Sequence, residues 1–316
     1  MNRMIRRYVP AGLMLALFVS GCAVQPYTGA VKYPDLNIIQ SPGHQSVERL
    51  VTLLTGWGRV SADHQTAGDR SPQKIDVPLS VFLIEHQGHY VLIDTGVAPE
   101  LAADPAKYLG GFAAWLARSR LKALIAQPGW DVVSRLKSMG IDPAQVEHVI
   151  ITHAHFDHTG ANRAFLAATF HLSNETLKAG RDGGMLGGYI AGDFPQSMKV
   201  EPVDFSGTAP WLTFTGHRDL FGDGSVLLIP LPGHSPGHLG VFVRAKNGPV
   251  LLVGDAAYSM RNINEPALIG YLDNREQTWD TLCRLKRLHE QATEIKIIPT
   301  HDPDVYRTLP LPPQGL

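Results

Sequence analysis

The chain has 316 residues, of which 44% are hydrophobic and 18% are charged. This length and composition can bury one large hydrophobic core or two modest ones, and we interpret the sequence as one main domain. The net charge is −1 at pH 7 and no basic run is present, which argues against a nucleic-acid partner.

The N-terminus has the features of a targeting segment. Arg3, Arg6 and Arg7 precede an apolar stretch at residues 11–19. About ten apolar residues are too few to cross a hydrocarbon core of about 30 Å, so residues 1–21 are predicted to be a signal peptide. Its removal leaves 25 basic and 29 acidic residues, a net charge of −4.

The small residues Val19, Ser20 and Gly21 directly precede Cys22 and resemble the lipobox of bacterial lipoproteins. This resemblance implies cleavage before Cys22 and attachment of lipid to its thiol, which would anchor the protein in the bacterial cell envelope on the periplasmic face. The alternative is an ordinary secretory peptide, or an uncleaved anchor, with an incidental cysteine. Because Cys283 is the only other cysteine, lipidation would leave no intrachain disulfide.

Residues 22–75 are rich in Pro, Gly, Gln and Ser, with one amphipathic patch at 47–54. We predict a tether that leads into an irregular or partly helical N-terminal extension. The folded domain is predicted over residues 76–316.

Hydrophobic periodicity predicts the order of elements within this domain. Apolar, β-branched runs at 77–84 and 90–94 flank the turn at Gln87-Gly88 and should pair as strands, and a helical pattern fills 99–140. A glycine-rich segment at 180–194 is expected to form a surface loop near the functional residues. Further strands are predicted at 146–151, 211–215, 226–230, 241–244, 250–253 and 295–298, and further helices at 162–168 and 276–291.

The strongest functional signal is a cluster of histidine and aspartate directly after the predicted strand at 146–151. His153, His155, Asp157 and His158 place four possible metal ligands in six positions. Imidazole and carboxylate suit Zn²⁺ and similar borderline divalent ions. On an extended loop the side chains of His153, His155 and Asp157 would point to one side and that of His158 to the other, so this segment can bind two adjacent ions.

Two catalytic ions need six or seven protein groups, including one that bridges them. His234, Asp255 and His301 supply the remainder, and each follows a predicted strand. Isolated histidines such as His171, His217 and His289 are better interpreted as surface or core residues.

This arrangement resembles the metallo-β-lactamase superfamily, from about residue 77 to residue 301. The resemblance implies an α+β fold, a four-layer αββα sandwich with two sheets face to face and helices outside. It also implies that His153, His155 and His234 bind one metal, that Asp157, His158 and His301 bind the other, and that Asp255 bridges them. Asp94, in Ile93-Asp94-Thr95-Gly96, matches the aspartate that supports this site, although it could instead cap its turn. His238 shares a motif with His234, but the family pattern gives the metal to His234.

The implied reaction is hydrolysis. Two close cations lower the pKa of a bridging water, so that a hydroxide can attack a polarised carbonyl or phosphoryl group. Asp157 would pass a proton to the leaving group. The expected cofactors are two divalent ions, with zinc as the first candidate; iron, manganese and cobalt suit the same ligands.

The substrate class rests on smaller features. The segments at 81–96, 234–239, 255–258 and 300–302 look like those of the N-acyl-homoserine lactonases, and Tyr258 matches the tyrosine that helps hold the substrate carbonyl in that family. A phenolic O–H can donate to an oxyanion without carrying charge. An ordinary half-buried aromatic remains the alternative for Tyr258.

The expected substrate is therefore a lactone or other ester, and we predict lactone-ring opening and quorum quenching. A broad esterase, a phosphotriester or phosphodiester hydrolase, and a non-catalytic surface metal-binding lipoprotein remain alternatives. The apolar residues Phe112, Trp115 and Leu116 could cover an acyl chain, although such a stripe more often packs a helix on a sheet.

Overall fold

The computed structural model describes residues 45–112, 114–115, 123–309 and 312. The predicted signal peptide and Cys22 lie outside these residues, so both stay predictions. Within the described part of the chain, no helix combines the length and apolar character needed to cross a bilayer.

Strands in the described residues form two sheets. The larger sheet has the order β4-β1-β2-β3-β5-β6-β7, and the smaller has the order β12-β11-β10-β9-β8. In the larger sheet β1, β2 and β3 pair antiparallel, whereas β3, β5, β6 and β7 are parallel. The strands are β1 (Arg49–Ser61), β2 (Lys74–His86), β3 (His89–Ile93), β4 (Leu124–Ile125), β5 (Val146–Ile150), β6 (Thr169–Leu172), β7 (Lys199–Pro202), β8 (Arg218–Asp219), β9 (Val226–Pro230), β10 (Leu239–Ala245), β11 (Gly248–Leu252) and β12 (Lys296–Ile298).

Strands of both sheets carry apolar side chains on both faces. One face of each sheet is buried against the other sheet, and the opposite face is buried in an outer core. In β3, Val91 and Ile93 enter the core between the sheets, while Leu92 enters a second core on the outer face. In β10, Val241 lies between the sheets and Phe242 lies on the outer face of the smaller sheet. Strands buried on both faces read as continuous apolar runs, which is how these segments appear in the sequence.

Helices cover both outer faces. Leu136 of α4 packs on the larger sheet, and Leu282 and Leu285 of α8 pack on the smaller one. The predicted αββα sandwich is confirmed. The helices are α1 (Ala62–Gln65), α2 (Pro99–Ala103), α3 (Pro105–Leu109), α4 (Val132–Ser138), α5 (Phe156–Thr159), α6 (Asn174–Asp182), α7 (Met260–Asn264), α8 (Arg275–Gln291) and α9 (Pro303–Arg307).

The predicted domain boundary at residue 76 falls inside the folded domain. Residues 49–61 were predicted within the 22–75 extension as irregular or partly helical, but they form β1, which pairs along most of its length with β2. Leu50, Val51 and Leu53 of β1 are buried in the cores on the two faces of the sheet. Pairing with β2 and burial on both faces therefore outweigh the glycine-rich composition.

Two local predictions also differ from the structure. The strand predicted at 211–215 is reduced to a single bridge between Trp211 and Phe214, because Leu212 has a left-handed backbone with φ of 49° that reverses the chain. The helix predicted at 162–168 is a short 3₁₀ turn at Asn162–Phe165.

The buried carboxyl group of Asp193 predicts that the free energy of unfolding depends on pH. Burial raises the pKa of Asp193 from 3.8 to about 7, and Tyr108 donates a hydrogen bond to it at 2.5 Å. Because the folded state holds this proton more tightly than the unfolded chain does, the free energy of unfolding should fall as the pH rises from about 4 to about 7.

Replacing Asp193 with Asn removes this titration while keeping the shape of the side chain. We expect the melting temperature of Asp193→Asn, relative to wild type, to be higher at pH 8 than at pH 5, by about 2–4 °C for each kcal/mol recovered. Differential scanning calorimetry at both pH values measures this difference. The same shift at both pH values would contradict the assignment.

Candidate metal centre

The functional side chains gather at one edge of the two sheets, where strands end. β5 leads into His153, His155 and the short helix α5, which begins at Phe156 and contains Asp157 and His158. β9, β11 and β12 lead into the loops that hold His234, Asp255 and His301, respectively. The structure thus brings together all seven residues that the sequence predicted as metal ligands.

Three of the histidines form the first group of possible ligands. The Nδ1 atom of His155 lies 3.0 Å from Nε2 of His153 and 3.0 Å from Nε2 of His234. All three rings are buried. Three ring nitrogens directed at one point are the arrangement that a tetrahedral ion such as zinc requires.

Asp157, His158 and His301 form the second group, and Asp255 lies between the two groups. Oδ1 of Asp255 is 3.2 Å from Nε2 of His158 and 3.1 Å from Nε2 of His301. Its other oxygen, Oδ2, is 3.4 Å from Nε2 of His234 and 3.7 Å from Nε2 of His153. The carboxylate therefore presents one oxygen to each group, as a bridging ligand must.

The second ring nitrogens of His234 and His301 are held by backbone carbonyls, which fixes the tautomer of each ring. Nδ1 of His234 donates to the carbonyl of Tyr271 at 3.0 Å, and Nδ1 of His301 donates to the carbonyl of Pro78 at 2.8 Å. Because a carbonyl only accepts, these Nδ1 atoms carry the proton and each Nε2 keeps its lone pair for a metal. Such outer contacts typically orient metal-binding imidazoles.

Asp94 occupies the supporting position that the sequence predicted. Its buried carboxylate accepts hydrogen bonds from the Thr152 amide at 2.8 Å, from the Thr152 hydroxyl at 2.9 Å and from Nδ1 of His158 at 2.7 Å. Its backbone is left-handed, with φ of 62°, and its own N–H donates to Ile150. Asp94 thus ties the end of β3 to the loop after β5.

The electrostatics of the cluster favour metal-binding protonation states at most positions. Burial lowers the pKa of His153 and of His234 well below 6.5, so both rings are neutral near pH 7. Burial would raise the pKa of Asp255, but the neighbouring His301 and His158 hold it well below 3.8. For His158, burial is outweighed by the carboxylates around it, which raise its pKa.

The buried polar atoms without a hydrogen-bond partner in the part of the chain that the structure describes include Nε2 of His158 and Oδ1 of Asp255. These two atoms face each other across 3.2 Å. Leaving such atoms without a partner costs about 1–3 kcal/mol or more, so a missing partner is expected. A divalent cation satisfies both lone pairs at once, and the donor set therefore fits the predicted metal pair.

Tyr258 lies against the cluster, three residues after Asp255. Its ring is 3% exposed and contacts the rings of His234 and His301, with centroids 5.7 and 5.6 Å apart. Burial and the charge of Asp255 raise its pKa well above 10, so its phenol stays a neutral O–H donor.

A cavity of about 370 Å³ opens at the centre and is lined by His155, Asp157, Asp255, His301 and Tyr258. Apolar side chains from β2 and β4 line another part of it, including Val77, Leu79 and Leu124. This size and mixed lining match a small-molecule site.

The glycine-rich segment lies beside the centre, as predicted. Gly188 has φ of 83°, its carbonyl accepts from the Phe156 amide at 2.9 Å, and a Cβ on it would meet the His155 ring at 2.9 Å. Only glycine fits this close approach.

The histidines outside the predicted ligand set lie outside both groups. His238 is adjacent but has another role: burial lowers its pKa to about 3, and its Nε2 accepts the Asp255 amide at 3.1 Å. It therefore fixes the backbone of the bridging residue.

Sequence reasoning missed Gln65, which α1 places at the wall of the cavity beside the centre. Its buried Nε2 donates to the carbonyls of Tyr258 and His301, both at 3.2 Å. It was missed because a polar residue in a segment predicted to be a tether carries no sign of burial.

Gln65→Leu removes the donor shared by two loops of the centre. We expect a loss of about 1–3 kcal/mol in the free energy of unfolding and a lower kcat, because Tyr258 and His301 lose their common support. Urea unfolding and steady-state kinetics measure these effects, with Gln73→Leu at an exposed position as the control. Equal stability and kcat in both variants would contradict the role.

Known proteins resemble this chain in sequence and in fold. The sequence profile of the Metallo-beta-lactamase superfamily matches residues 76–301. The chain is 33% identical over 274 residues to the N-acyl homoserine lactonase AttM of Azorhizobium caulinodans, covering 82% of this chain and 94% of that protein. It is 32% identical over 281 residues to AttM of Agrobacterium fabrum, covering 84% and 97%.

Among solved structures, an N-acyl homoserine lactone hydrolase with N-hexanoyl-L-homoserine bound at its catalytic metal centre superposes with a TM-score of 0.70. That match has 20% sequence identity and covers 86% of this chain and all of the other, so it supports the fold. The chain therefore belongs to the metallo-β-lactamase superfamily and is a metal-dependent hydrolase.

Proposed function

We propose that this hydrolase opens the lactone ring of N-acyl homoserine lactones, using two zinc ions. One observation carries the proposal: Tyr258 and the two-sided carboxylate of Asp255 line the same cavity. The names of the AttM relatives, which describe N-acyl homoserine lactonases, support this substrate class.

In this proposal His153, His155 and His234 would hold one ion, and Asp157, His158 and His301 would hold the other. Asp255, whose two oxygens face the two groups, would be shared by both ions. When bound, the ion pair would lower the pKa of a shared water and so supply a hydroxide nucleophile near neutral pH.

The side chains of the chain itself then orient the substrate and move the proton. Tyr258 donates its O–H to the carbonyl oxygen of the lactone, where negative charge develops during attack. Asp157 lines the cavity with its carboxylate. Because Oδ2 faces His158 and His301, Oδ1 is the oxygen that can take up a proton and deliver it to the ring oxygen when the C–O bond breaks.

The acyl chain has an apolar lining available in the same cavity, at Val77, Leu79 and Leu124. Phe112 and Trp115 could either pack a helix on the sheet or cover the acyl chain of the substrate. They are 75% and 56% exposed and stack on each other with centroids 6.0 Å apart, which argues against packing on the sheet. Leu116 lies outside the described residues.

A substrate panel with and without chelator tests the proposal. We expect hydrolysis of a long-chain N-acyl homoserine lactone to exceed that of a thioester, a phosphodiester and a β-lactam, and to vanish on chelation. Preference for the thioester or phosphodiester would replace the lactonase assignment with the esterase or phosphodiesterase one. Metal binding with no turnover of any of the four would favour a metal-binding protein.

We further propose that Cys22 anchors the protein by lipid to the periplasmic face of the cell envelope. The lipobox-like residues before it support this proposal. Cys22→Ser should move the protein from the membrane fraction to the soluble periplasmic fraction; an unchanged distribution would contradict the anchor.

A further inference from the structure

A second group of possible metal ligands lies near the opposite end of the parallel strands. His89 begins β3, and Glu147 and His148 lie near the start of β5. Each offers one ligand atom, and these atoms all lie within 4.8 Å of one another. His148 and His153 are five positions apart along an extended stretch of chain, which spans roughly 16 Å at 3.3 Å per residue, so this group is distinct from the catalytic centre.

A bulge in the pairing of β3 with β5 brings these side chains together. Tyr90 pairs with Val146 and Val91 pairs with His148, so Glu147 is an extra residue in β5. In a regular strand, neighbouring side chains point to opposite faces of the sheet, whereas a bulge changes the direction of one of them. Oε2 of Glu147 consequently lies 2.9 Å from Nδ1 of His89.

A neighbouring histidine contacts one ring nitrogen of His148 and orients its ring, as is usual for metal-binding histidines. Its Nδ1 lies 2.9 Å from Nε2 of His171, and Nδ1 of His171 faces Glu201 at 3.9 Å. With Nδ1 engaged in this way, Nε2 is the nitrogen that His148 can offer to a cation. Phe221 packs on the rings of His89 and His148, at 6.1 and 6.0 Å.

We propose that His89, Glu147 and His148 form an additional site for a borderline divalent cation of the zinc class. Two imidazoles and one carboxylate are a ligand set that zinc accepts, and water would complete the coordination. Because the ligands come from the start of β3 and from β5, a bound ion would join these strands at the end of the sheet away from the catalytic centre. This inference does not depend on the lactonase proposal.

Calorimetric titration of the metal-loaded enzyme with Zn²⁺ tests the site. We expect one further ion per chain in the wild type and a rise in melting temperature on its binding. His89→Gln with Glu147→Gln should weaken this binding by about tenfold or more, since two of three ligands are lost. These two positions are largely exposed, with side-chain exposures of 41% and 50%, so folding should be preserved.

His217→Gln, at a half-buried histidine outside the proposed site, is the control and should leave the additional ion in place. Lactone hydrolysis should be unchanged in the double variant, because none of these residues lines the catalytic cavity. No additional ion in the wild type, or equally tight binding in the double variant, would overturn the proposal and leave His89 and Glu147 as an ordinary surface ion pair.

Discussion

Replacing Asp255 with alanine is expected to lower turnover by about a thousandfold or more, equivalent to about 4 kcal/mol of transition-state stabilisation. The bound metal should fall toward one ion per chain. The reason is geometric: Oδ1 faces His158 and His301, while Oδ2 faces the other group. Asp157, the other carboxylate of the cluster, groups only with His158 and His301, so it does not replace the contacts of Asp255 with the first group.

Metal analysis and kinetics on the same preparation measure both effects. Asp304→Ala serves as the control, because Asp304 is an exposed carboxylate near His301 and belongs to neither group. Two ions per chain with nearly normal turnover in Asp255→Ala would remove the bridging role.

Tyr258→Phe should lower kcat by about 10- to 1000-fold with unchanged metal content, the range for loss of one oxyanion donor. Phenylalanine keeps the ring that stacks on His64 at 5.3 Å and contacts His234 and His301. The loss should therefore report the O–H group and not the packing.

The pH dependence of kcat distinguishes a role of the Tyr258 O–H group from a role of its ring in packing. Because the pKa of Tyr258 is raised well above 10, its phenol stays protonated in the working range. The ratio of wild-type to variant kcat should then be constant from about pH 6 to about pH 9. Equal kcat in the two proteins, or a loss that follows the loss of metal, would leave Tyr258 as an ordinary buried aromatic.

The metal centre was predictable because its signals are local in the sequence. His153, His155, Asp157 and His158 share one short segment after a strand, and that spacing restricts which side chains can meet. His234, Asp255 and His301 could be assigned because each follows an apolar run that ends a strand. The sandwich followed from the resemblance together with apolar runs that are buried on both faces.

The elements that escaped prediction depend on contacts distant in sequence. β1 contains Gly56 and Gly58, which lower strand propensity, yet it forms because β2 supplies a full-length partner. Gln65 is buried only because β1 is part of the sheet. The bulge at Glu147 is visible only in the register between β3 and β5. Such features are set by pairing and not by local composition.

We propose that seven side chains at the strand ends hold two cations. Anomalous diffraction from crystals of zinc-loaded protein tests it most directly. We predict two strong peaks at the cluster, one among His153, His155 and His234 and one among Asp157, His158 and His301, with an oxygen of Asp255 bonded at each. A single peak, or none at these residues in fully active protein, would contradict it.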